Sequence, residues 1–78
     1  MNRDFVLSNL KEAQEALGRS IQEMKRDTKY DVGELWVELQ HIYHHINFAW
    51  NGREASPVRS KKDFKAWSQY PDDIAMME

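Results

Sequence analysis

The stretch Asp31-Val-Gly-Glu-Leu-Trp-Val-Glu-Leu-Gln-His-Ile-Tyr-His-His-Ile-Asn-Phe-Ala-Trp-Asn-Gly52 decides how the chain reads. It holds all three His and two of the three Trp of the 78-residue sequence. Its ends carry helix signals. Asp31 followed by Glu34 is a capping box, in which an early side chain accepts from N–H groups that have no partner within the helix. Asn51-Gly52 supplies a stop, with Gly52 expected in the left-handed conformation that closes many helices. The pattern therefore predicts one helix over about 32–51.

On a helical wheel Ala49, Ile42, Leu35, Ile46, Leu39, Trp50, Tyr43 and Trp36 fill an unbroken arc of roughly 140°. Trp36, Tyr43 and Trp50 recur every seven residues along its edge. Glu34, Glu38, His41 and His45 form a narrower stripe on the other side, within roughly 60°. Val37 and Phe48 lie beside that stripe. A helix that is apolar in more than one direction is expected to be covered by more than one neighbour.

The segment before it supplies one cover. Val6, Leu10, Ala13, Leu17, Ile21 and Met24 recur at three- and four-residue steps and fall within an arc of roughly 100°, which predicts a helix over about 3–26 capped near Asn2. Glu15 and Arg19 make a favourable i,i+4 pair. The five residues between the helices are too few for anything but an antiparallel hairpin. Folding that hairpin places Tyr43 opposite Ala13, Ala16 and Gly18, large against small. After Gly52, Ser56-Pro57 is non-helical. Ser60-Lys-Lys-Asp63 is a second capping-box pattern that predicts a short helix over about 61–69, carrying Phe64 and Trp67. A C-terminal tail follows over 71–78. The fold class is all-α: one small domain, residues 1–78, made of an antiparallel helical hairpin and a short third helix. So short a chain buries a modest share of its surface. Its wide apolar arcs predict packing as a helical-bundle homo-oligomer, most simply a dimer.

Composition narrows the function. There is no Cys, so disulfides, thiolate metal sites and cysteine nucleophiles are excluded. The formal net charge of −2 argues against a general nucleic-acid binder. It outweighs the local gathering of Arg53, Arg59, Lys61, Lys62 and Lys65 around Phe64 and Trp67. The N-terminal apolar run is broken by charges, unlike a signal peptide. No run approaches the roughly 20 apolar residues of a membrane span. A soluble cytoplasmic protein is the expectation. No Ser–His–acid constellation or phosphate-cradling glycine loop supports an enzyme.

The leading expectation is an interaction or assembly module without a cofactor, self-associating or binding a protein partner. Its surface would use Trp36, Tyr43, Trp50, Phe64 and Trp67, since Trp and Tyr dominate interface energetics. The alternative is a metal-binding helical protein, possibly a metal-dependent enzyme. His41 and His45 lie one turn apart on one face, a spacing that can chelate a divalent transition metal such as zinc, with Glu38 as a third ligand. The His41-Ile-Tyr-His44-His45 spacing is similar to a segment of DinB-like metalloprotein bundles. That resemblance implies metal ligation by His41 and His45. The Arg-Gly-Gln that often follows in the family is replaced by Ile46-Asn47-Phe48, and the family's His from an earlier helix has no counterpart. A carboxylate-bridged pair of metals is disfavoured, because Glu12, Glu15 and Glu23 lie on the polar side of the first helix. A third use of three clustered His is pH sensing.

Overall fold

The structure is a computed structural model that describes residues 1–54 and 65–71. Two long helices dominate it, α1 (Arg3–Arg26) and α2 (Val32–Asn51), packed against each other. Both start where the sequence places them. The Asn2 side chain accepts from Phe5 N–H at 3.1 Å, and the Asp31 side chain accepts from Glu34 N–H at 3.0 Å. Between the helices Lys29 N–H donates to the Asp27 carboxylate at 2.9 Å and Tyr30 N–H to the Asp27 carbonyl at 3.1 Å. These two bonds make a tight Asp-initiated turn of the kind Asp favours. Among the described residues there is no strand.

The seam between the helices does not run along the Leu/Ile stripe of α1. The buried residues of α1 are Asn9, Ala13, Ala16 and Ser20. Those of α2 are Ile42, Asn47, Phe48 and Ala49. At 100° per residue the α1 seam lies roughly 80° round the helix from the middle of the Leu10–Leu17–Ile21–Met24 stripe. Small side chains let the two backbones approach closely. Tyr43 does not fill the seam as expected: it is 56% exposed. Nor does a bulky neighbour explain Gly18, where an added Cβ would meet nothing within 4 Å.

The end of the hairpin away from the turn is closed by aromatics. Phe5, Phe48 and Trp67 meet with ring centroids 5.8 to 6.5 Å apart. Residues 65–67 form a helical turn. The segment they begin is held over the last turns of α2 by two side-chain amides. Asn47 donates to the Ser68 carbonyl at 2.8 Å, and Asn51 donates to the carbonyls of Trp67 and Gln69 at 2.9 and 2.8 Å. Asn2 N–H also donates to the Arg53 carbonyl at 2.6 Å, tying the start of α1 to the end of α2.

Gly52 does end α2, but for another reason than the one expected. Its φ is −100°, so it is not left-handed. A Cβ there would collide with the Phe5 ring and come within 3.0 Å of Trp67. Glycine is required by close approach of the aromatic cluster. The expected third helix is described only from residue 65. Phe64, the Ser60–Asp63 capping pattern, and the tail from residue 72 lie outside the described residues.

Candidate functional site

Two regions of the hairpin stand out, one on each side of the seam. In an antiparallel pair, advancing round both helices in the same sense from their contact leads to the same side of the hairpin. The Leu10, Leu17, Ile21 and Met24 stripe of α1 and the Leu39, Tyr43, Ile46 and Trp50 edge of α2 lie roughly 80–90° from the seam in that common sense. They therefore form one continuous apolar face. A shallow groove of about 330 Å³ opens on it, lined by Met1, Val6, Leu10, Ile46, Ala49, Trp50 and Arg53. The Arg53 guanidinium lies 3.8 Å from the Trp50 ring centroid, capping one end. Trp36 extends the face toward the turn and is 65% exposed.

By contrast, the buried apolar residues of the described chain are Ala13, Ala16, Ile42, Phe48 and Ala49. Three of the five are alanines, and among the described residues no large side chain falls below 2% exposure. Of the aromatic residues expected at an interaction surface, Trp36, Tyr43 and Trp50 lie on the open face. Trp67 instead completes the internal cluster with Phe5 and Phe48.

The other side of the seam carries polar groups and the His residues. Glu38 does not meet His41 and His45. Its carboxylate accepts from the Ser20 hydroxyl at 3.2 Å and lies 4.0 Å from the Arg19 guanidinium. The carboxylate that approaches the two His is Glu12's. One ligand atom each from Glu12, His41 and His45 all lie within 4.8 Å of one another. Sequence reasoning set Glu12 aside because it faces away from the Leu/Ile stripe. The seam is rotated from that stripe toward Ala13 and Ala16, and the rotation brings Glu12 to the edge of α2.

His45 is held from behind. Its Nδ1 lies 2.9 Å from Asn9 Oδ1. Asn9 is itself buried and oriented, its Nδ2 donating to the Phe5 carbonyl at 3.0 Å. With the amide nitrogen engaged there, Oδ1 is left to accept. His45 then carries its proton on Nδ1 and its lone pair on Nε2. Sequence reasoning missed Asn9. The available signal was the 4-3-4 spacing of Asn9, Ala13, Ala16 and Ser20, a second helical stripe of small residues beside the Leu/Ile one.

His44 lies against Phe48, with ring centroids 4.4 Å apart. Burial holds both His44 and His45 below the ordinary imidazole range. Neighbouring imidazoles add to this in both cases, while Glu12 partly offsets it at His45. Toward the turn, burial and then the Glu38 and Glu23 charges raise the Tyr30 phenol above its usual value. Proton uptake is thus disfavoured at His44 and His45, while toward the turn the Glu38 and Glu23 carboxylates favour positive charge.

No protein-family model, curated protein or solved structure matches the chain. No helix of the described residues is long and apolar enough to cross a membrane.

Proposed function

We propose that this chain is a small helical assembly module, and that its apolar face is covered by a second copy to make an antiparallel four-helix bundle. One observation carries the reading: the hairpin leaves most of its large apolar side chains outside. Leu10, Leu17, Ile21, Met24, Leu39, Tyr43, Ile46 and Trp50 are 36 to 56% exposed. At those exposures the eight leave on the order of 800 Å² of largely apolar surface, about what each partner contributes to a stable interface of standard size. Monomers rarely keep so large a continuous patch.

The direction of the face favours a second copy. In a square bundle the central axis lies about 45° from the line joining each helix to its neighbour, and the next neighbour about 90° from it. The two stripes point between these directions on both helices, on the same side. A two-fold axis through the face would set Leu17, Ile21, Leu39 and Tyr43 of one copy against the same residues of the other. The heptad spacing of Trp36, Tyr43 and Trp50 suits such packing.

Sedimentation of the untagged protein at micromolar concentration tests this. A mass twice that of the 9.3 kDa chain, falling to one chain on dilution, is the expected result. A monomer at all concentrations, with the red-shifted emission of an exposed Trp36, would refute it.

A further inference from the structure

We propose that Glu12, His41 and His45 form a binding site for a divalent first-row transition metal, zinc being the natural test ion, that bridges α1 and α2. The proposal concerns the side of the hairpin opposite the apolar face and does not depend on dimerisation. Three features separate this cluster from an ordinary polar surface.

The first is convergence. One donor atom from each of the three residues lies within 4.8 Å of the other two. Donors on a single tetrahedral zinc, bound at about 2.0–2.2 Å, sit roughly 3.4 Å apart. Closing the difference takes small rotations of side chains, and Glu12 and His41 are exposed and free to make them. The second is preparation. The Phe5 carbonyl fixes the Asn9 amide, and Asn9 fixes the Nδ1–H of His45, leaving Nε2 as the ligand atom. A carbonyl oxygen on the far nitrogen of a ligating His is the usual outer contact of a metal site, fixing ring orientation and raising basicity. The third is the absence of a competing cation. Arg19 is drawn to Glu38, and no Lys or Arg pairs with Glu12 among the described residues.

Two imidazole nitrogens and one carboxylate oxygen suit zinc, cobalt, nickel or copper and do not suit calcium or magnesium. Three protein donors leave a fourth position for water or an incoming ligand. Because Glu12 comes from one helix and the two His from the other, the ion would join the two helices across the seam. Binding is therefore coupled to folding.

The test uses the full chain without a His tag, stripped with chelator and titrated with zinc chloride at pH 7.5. Calorimetry is expected to give one zinc per chain, with a rise in melting temperature that chelator reverses. Glu12→Gln and His41→Ala, both at exposed positions, are each expected to weaken binding at least about tenfold, and Asn9→Ser about 10- to 100-fold through His45. His44→Ala is expected to leave binding unchanged. Absence of saturable binding overturns the proposal. So does wild-type affinity in Glu12→Gln, which would reduce the site to a simple chelate along α2 with no link between helices. Circular dichroism of each variant without zinc confirms that any loss is of the site and not of the hairpin.

Discussion

The two sides of the hairpin seam are built from the same two helices and differ in what finishes them. On one side Leu10, Leu17, Ile21 and Met24 face outward beside Leu39, Tyr43, Ile46 and Trp50, with large side chains left half-exposed. On the other, polar groups find partners within the chain: Asn9 with His45 and Ser20 with Glu38. The contrast shows a division of labour. Directional polar contacts on one side fix how the helices are rotated. That rotation turns the non-directional apolar surface to the other side, where only another body can cover it. A hairpin in which three of the five buried apolar residues described are alanines has little cohesion of its own, since burying a methyl contributes far less than burying a leucine.

The comparison breaks most completely if charge is placed on the open side. Leu17→Glu combined with Leu39→Glu is expected to abolish association and to lower stability by several kcal/mol, because two acids would be desolvated against their symmetry mates. Sedimentation and thermal melting read the two effects. If the double variant keeps the wild-type mass and melting temperature, the open side is ordinary surface.

The closed side is sharpened by Gly52→Ala. The added methyl meets the Phe5 ring and Trp67. Overpacking of this kind costs about 1–3 kcal/mol. It is expected to lower the melting temperature without changing the mass of the assembly, the reverse of a pure interface variant. A neutral result would mean that the aromatic cluster gives way at no cost.

Gly18→Ala lies on neither side and serves as the control. The space there is open, so the helix preference of alanine should stabilise the chain by up to about 1 kcal/mol. A loss of stability would show that this surface of α1 is covered after all.

The smallest effect is the pH dependence of the chelator-treated protein. His44 and His45 both titrate below their ordinary value of 6.5 in the folded chain, chiefly through burial. Above pH 6.5 each is neutral whether folded or unfolded. Below it the unfolded chain takes up protons first, so stability falls as the pH drops and levels off once the folded imidazoles have also charged. The groups facing them are His41 beside them on α2, Phe48 against His44, and Asn9 and Glu12 from α1. A melting temperature that rises on acidification through this range would reverse the assigned sign.

Much of the hairpin was legible because its signals are local. Asn2 and Asp31 cap helices through bonds three residues away, and the turn at Asp27–Tyr30 needs only its own backbone. Apolar residues at three- and four-residue steps describe a helix whatever surrounds it. The metal-site candidates were legible in part. His41 and His45 share a face by period alone, but their carboxylate partner was read as Glu38, the nearest acid in sequence. Gly52 was likewise read from its local role as a helix stop, whereas its constraint comes from Phe5 and Trp67.

The sequence by itself thus determined the helices, their ends, their antiparallel order and the existence of wide apolar arcs. Each follows from bonds and periodicities within a few residues. Only the tertiary structure decided which edge of α1 meets α2. Several edges of an amphipathic helix can form a seam, and the choice rests on a sum of close packing and directional bonds between residues far apart in the chain. Here Ala13, Ala16, Asn9 and Ser20 set that rotation. It brought Glu12 to the His residues and sent Glu38 to Ser20. It also left the Leu/Ile stripe facing outward.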